Sequence, residues 1–220
     1  MATIKAVTKE ANGFLFLLFA NNHIFWYNNP GNEAHYMVVP NIKIYDEKDK
    51  ILRKVSNEVT FPMAQRDIDL INDAIKYLVA SQDEDIAEEY NLRAGMGLAF
   101  IQLGVPKRIF VIANKDLDTG EVEKHIIINP NIIAKSEELV YVGEGEGCLS
   151  VNRPVEGIVP RHARITVEYQ DTTGKKQKVR VREDIAIAFQ HEIDHLNGIL
   201  FVDHIDRKNP FKNKDKMREI

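Results

Sequence analysis

The stretch Gln190-His191-Glu192-Ile193-Asp194-His195-Leu196-Asn197-Gly198 constrains this chain more than any other. Residues four apart share a helix face, so His191 and His195 can direct two imidazoles at one ion, with Glu192 beside them. That is the His-Glu-x-x-His pattern of metal-dependent hydrolases. The flanks favour a helix from about Asp184 to Asn197. Asp184 is placed to cap its start, Ile185 to Phe189 are mostly apolar, and Gly198 stands where a left-handed residue would end it. The pattern alone also fits a helix with two structurally satisfied histidines, because short motifs recur by chance. The rest of the chain has to decide.

Two histidines leave a metal under-coordinated, since catalytic sites usually have three protein ligands and one open position. Cys148, the only cysteine, is the candidate third ligand. It sits in Gly143-Glu144-Gly145-Glu146-Gly147-Cys148-Leu149-Ser150, where glycines let the backbone approach something closely after an expected strand. The alternative for a lone cysteine is an inert buried thiol. A second glycine stretch, Gly95-Met96-Gly97-Leu98-Ala99-Phe100-Ile101-Gln102, is too loose for a dinucleotide fingerprint. It can instead pair with an extended peptide as an added strand, and Gln102 offers an amide able to donate to a developing oxyanion.

These three stretches together resemble the peptide deformylase family. Its signatures Gly-x-Gly-Leu-Ala-Ala-x-Gln, Glu-Gly-Cys-Leu-Ser and Gln-His-Glu-x-Asp-His-Leu occur here in the family's order. The second and third match at every fixed position. In the first, Phe100 replaces the second alanine, and Ile101 follows it in place of a small residue or proline. The resemblance spans about Val38 to Asp206, and the expanded Gly143 to Gly147 loop is similar to the longer deformylases of Gram-positive bacteria and mycoplasmas.

The resemblance implies a metal-dependent hydrolase that removes the formyl group from the amino-terminal formyl-methionine of newly made polypeptides. Cys148, His191 and His195 would hold one divalent metal, with iron(II) expected and zinc, nickel or cobalt as replacements. Glu192 would act as general base, and the Leu149 N–H and Gln102 amide would stabilise the oxyanion. Met96 and Gly97 would align the substrate backbone. Ile187 and Ala188, one turn before the ligands, would wall the methionine pocket or else serve as helix core. Glu146 is expected among the substrate-binding residues, either paired with Arg161 to hold the cysteine loop or as an independent surface charge, and Asp194 faces off the metal to support a ligand or cap the helix. Two other readings fit parts of the pattern: a metallopeptidase using His-Glu-x-x-His, and a non-catalytic metal-binding protein derived from the same fold. The first gives no reason for Cys148, and a structural site needs neither Glu192 nor Gln102.

Around this centre the chain of 220 residues, 44% of them hydrophobic, is long enough for one domain with appendages. The turn cluster Asn28-Asn29-Pro30-Gly31-Asn32 marks a boundary between an appendage over 1–35, of unassigned role, and a catalytic domain over 36–206. Leu70, Ile71, Ala74, Ile75, Leu78 and Val79 recur at helical spacing across Gln65 to Ala80. Asp83 to Glu89 reads as a solvated loop or short helix. Beyond Lys107 come β-rich runs at Arg108–Ala113, His125–Asn129, Glu138–Val142, Ala163–Tyr169 and Gln177–Val181, with turn signals at Asp118-Thr119-Gly120 and Thr172-Thr173-Gly174. The fold class is therefore α+β, antiparallel sheets around a central helix that carries the histidines.

A net charge of -4 gives no basic footprint for specific nucleic-acid binding. The apolar run Phe14 to Ala20 falls short of the roughly 20 residues that span a membrane, and no secretory cleavage site follows; with Ile24 to Tyr27 it reads as a strand or hairpin. A single cysteine points to a reducing, cytoplasmic setting without a disulfide framework. His23, His35, His125, His162 and His204 lack partners at ligand spacing. A tail over 207–220 holds six basic residues against Asp215 and Glu219, which suits either a solvated end or a contact with ribosomal RNA.

Overall fold

The computed structural model describes residues 39–116 and 119–220, together with the backbone of four short strands before them. The chain divides into two compact units, 1–41 and 42–220. In the first, β1 (Glu10–Ala11) pairs antiparallel with β2 (Phe14–Leu15), and β3 (Ile24–Asn28) with β4 (Ala34–Val38). The remainder of the apolar run to Ala20 and the turn residues 29–33 lie outside the described residues. The second unit includes the segment over 207–220.

The second unit is built on α1 (Gln65–Ser81), α2 (Glu84–Tyr90), β5 (Gly97–Ala99), β6 (Ile109–Lys115), β7 (Val122–Lys135), β8 (Leu139–Tyr141), β9 (Arg161–His162), β10 (Arg164–Gln170), β11 (Lys176–Arg182) and α3 (Glu183–Leu196), closed by β12 (Arg218–Glu219). Five strands form one antiparallel sheet in the order β11-β10-β7-β6-β5. β12, β8 and β9 form a second, in which β12 lies parallel to β8. The 207–220 segment is thus not a free end.

β7 runs far beyond the expected His125–Asn129 because Asn129, at φ 51°, bulges the strand without ending it. Its side chain accepts from the Val59 N–H at 2.8 Å and donates to the Val59 carbonyl at 2.9 Å, and the pairing with β10 skips a residue there. Residues Ile109 to Ala113 of β6 are all buried, as expected for a strand covered on both faces. α3 packs on one face, where Phe110, Ile112, Ile127, Ile165, Phe189 and Ile193 share a core; the Phe110 and Phe189 rings meet edge-on at 5.2 Å.

The ends of α3 fix the histidines. Asp184 does not cap the helix: β11 runs straight into it, Arg182 is the extended flanking residue, and Glu183 takes φ 52° while its N–H donates to the Ala163 carbonyl. Asp184 falls in the first turn, where a negative charge suits the helix dipole. At the other end Gly198 adopts φ 75°, and the Gly198 and Ile199 N–H groups donate to His195 and Asp194 carbonyls. A Cβ at Gly198 would lie 2.8 Å from the Arg53 carbonyl oxygen. Gly198→Ala should therefore destabilise the protein by about 1–3 kcal/mol, read as a lower midpoint in urea with unchanged slope.

Candidate active site

α3 buries His191 and His195 on its inner face, and the loop after β8 brings Cys148 to them. Their ligand atoms all lie within 4.8 Å of one another. His195 Nε2 is 3.2 Å from His191 Nε2 and 3.3 Å from Cys148 Sγ. A tetrahedral ion with bonds near 2.0 Å to nitrogen sets its ligands roughly 3.3 Å apart, so the three donors fit one ion. His191 Nδ1 lies 2.9 Å from Glu146 Oε2, which leaves Nε2 directed at the site.

Glu146 is itself held by Arg161, whose Nε and Nη2 donate to its two oxygens at 2.6 and 2.9 Å. Arg161 Nη1 reaches Asp194 Oδ2 at 2.5 Å, and His204 Nε2 lies 2.7 Å from the same oxygen. Burial alone would raise the Glu146 pKa, but hydrogen bonds from Arg161 and His191 outweigh it and lower it to about 2. Although it lines the cavity, both carboxylate oxygens are engaged, and it acts through His191. Asp194 faces away from the ligands into this ion-pair network, and His204 joins it there.

Glu192 is 3% exposed, and burial raises its pKa to about 7. One of its oxygens, Oε2, has no hydrogen-bond partner among the described residues. Gly97 packs on it so closely that any Cβ there would collide with the carboxylate. Gln102 is fixed at both ends: Oε1 accepts from the Ala99 N–H at 2.8 Å, and Nε2 lies 3.1 Å from Ser150 Oγ and 3.7 Å from Cys148 Sγ.

These groups open onto a cavity of about 370 Å³, large enough for one side chain and the backbone that carries it. Met96, Gly97, Gln102, Leu149, Ile187 and Ala188 all line it, together with Cys148, His191 and Glu192. Phe100 and Ile101 do not; both are fully buried, Ile101 in the core beneath α3. Their departure from the motif changes packing behind the site. Sequence reasoning missed Arg93, which lines the cavity and binds the cysteine loop, and Asp184, whose place at the rim was hidden by reading it as a cap. A contact between residues 55 positions apart leaves no local signal. Among the described residues no helix is long and apolar enough to cross a membrane.

Residues 41–211 match the family model described as polypeptide deformylase. The chain is 46% identical over 174 residues to peptide deformylase 2 of Bacillus anthracis, covering 79% of this chain and 94% of that protein. It is 50% identical over 153 residues to the peptide deformylase of Oceanobacillus iheyensis, covering 70% and 83%. Among solved structures it resembles the peptide deformylase of Thermotoga maritima, with a TM-score of 0.59, 30% identity and coverage of 75% and 97%. The Met-Ala-Ser-bound class I type b peptide deformylase of Acinetobacter baumannii gives a TM-score of 0.59, 26% identity and coverage of 76% and 99%.

Proposed function

Because the chain belongs to the peptide deformylase family, we propose that Cys148, His191 and His195 hold its catalytic metal and that Glu192 carries the proton of the reaction. The protein is a hydrolase that removes the formyl group from newly made polypeptides. The observation that carries the residue roles is the meeting of one thiol, two imidazoles and a buried carboxylate with a spare oxygen in one cavity.

Cys148, His191 and His195 would hold the divalent ion, which would supply Lewis acidity and make a nearby water more acidic. Glu192 accepts the proton released when the water oxygen adds to the formyl carbon, and returns it to the amine as the C–N bond breaks. Formate and a free amino terminus leave. The Leu149 N–H and Gln102 Nε2 donate to the oxygen that gains charge. Met96 and Gly97 pair with the peptide backbone while Ile187 and Ala188 surround the methionine side chain. That the Acinetobacter relative is bound to Met-Ala-Ser supports a peptide as the ligand. Replacing Gln102 with Ala should lower kcat about 100- to 1,000-fold, checked by steady-state formate release.

Iron(II) is the proposed native ion, although a sulfur and two imidazoles also suit zinc, nickel or cobalt. A reducing cytoplasm belongs to the same reading, because Cys148 must bind as thiolate. Anaerobic purification, metal analysis and formate release from formyl-Met-Ala-Ser test both at once. One equivalent of metal with rapid release, lost in air sooner for iron than for nickel, is expected; metal without release would sink the enzymatic assignment. A ribosome contact is proposed for the basic surface of Arg207, Lys208 and Lys216, which are exposed, whereas Lys212, Lys214 and Arg218 are spent on carboxylates. Co-sedimentation with ribosomes that survives charge reversal at those three residues would remove it.

A further inference from the structure

Arg93 lies outside all three motifs, yet its guanidinium gathers the outer side of the cysteine loop. Nη2 donates to the carbonyls of Cys148 at 2.9 Å and Val151 at 3.1 Å. Nη1 donates to the Leu149 carbonyl at 3.1 Å and to the side-chain oxygen of Asn152. Such a planar set of donors can hold several acceptors at fixed angles, which a lysine cannot.

Peptide planarity turns these contacts into a statement about the opposite side of the loop. In a trans peptide the C=O of one residue and the N–H of the next point in opposite directions. Holding the Cys148 carbonyl on Arg93 sends the Leu149 N–H away from it, and holding the Leu149 carbonyl does the same to the Ser150 N–H. The second effect is visible, for Ser150 N lies 3.4 Å from Cys148 Sγ in an N–H···S hydrogen bond. The first leaves Leu149 lining the cavity with no acceptor for its N–H among the described residues.

We propose that Arg93 is a positioning residue that sets both peptide planes, aiming the Leu149 N–H at the carbonyl under attack and the Ser150 N–H at the sulfur of Cys148. The first half rests on the deformylase reading; the second concerns the thiolate alone. A hydrogen bond to a ligating sulfur withdraws charge from it, so one guanidinium couples oxyanion stabilisation to the donor strength of Cys148.

The test uses the full chain loaded with cobalt(II), as wild type, Arg93→Lys and Arg93→Ala, well below their melting temperatures. The thiolate-to-cobalt charge-transfer band, cobalt affinity, and kcat and KM on formyl-Met-Ala-Ser are measured together. Expected are a kcat lowered about 10- to 100-fold with a smaller change in KM, and a band moved to lower energy, with Arg93→Lys intermediate in both. A variant that loses only thermal stability while keeping the wild-type band and kcat would show a mere tether and overturn the proposal. Should Arg93→Ala fail to fold, Arg93→Lys decides by the same two readouts. Wild-type cobalt protein that shows the band but releases no formate would refute the deformylase reading, and the band shift would still judge the sulfur half.

Discussion

Glu192→Gln lowers kcat for formate release by about 100- to 10,000-fold while the protein keeps one equivalent of metal. The substitution preserves volume beside Gly97, where space is so short that no Cβ fits, and it removes only the ability to take and return a proton. Metal retention follows because the three converging donors are Cys148, His191 and His195. A carboxylate pushed up to about 7 by burial is a cost that folding bears for function, so the variant should melt at the same temperature as wild type or higher. Elemental analysis, calorimetry and a formate assay on one preparation read all three quantities. Unaltered turnover would remove Glu192 from the chemistry, and loss of metal would make it a structural element of the centre.

The second large effect is expected at Arg161, 3% exposed and shared between Glu146 and Asp194. Arg161→Ala strands one almost fully buried carboxylate and one mostly buried one. Breaking a buried ion pair from one side costs about 3–5 kcal/mol, because the remaining charge loses its compensation. Glu146, freed from the arginine, no longer fixes the His191 ring, so metal affinity should fall about 10- to 100-fold as well. Denaturation of the metal-free and metal-loaded forms separates the two effects. Equal destabilisation in both forms would confine Arg161 to folding and deny it any hold on the metal ligand.

The motifs were legible because each places chemistry-bearing residues at short range: the histidines are four positions apart, and Glu192 directly follows His191. The cysteine could be joined to them only by chemical logic, and the structure supplies the distance. The α1 stripe and the β-rich second half were readable from periodicity alone. What failed was local grammar with two meanings. Asp184 has the form of a cap, but the strand ahead of it feeds the helix directly and leaves no room for one. Asn129-Pro130 would end most strands, and here a side chain bonded twice to Val59 carries β7 through. Arg93 and the tail strand β12 were out of reach, since each acts on a segment more than fifty residues away in sequence.

That tail strand also sets an order of events during synthesis. β8 leads into the glycine loop and Cys148, and its open edge is covered by β12, whose Glu219 meets Tyr141 across 78 positions of chain. Ile220 then packs against the cluster of Val140, Ala163 and Ile187, and Ile187 lines the cavity. The chain therefore has to be made through to residues 218–220 before that edge and that cluster are covered.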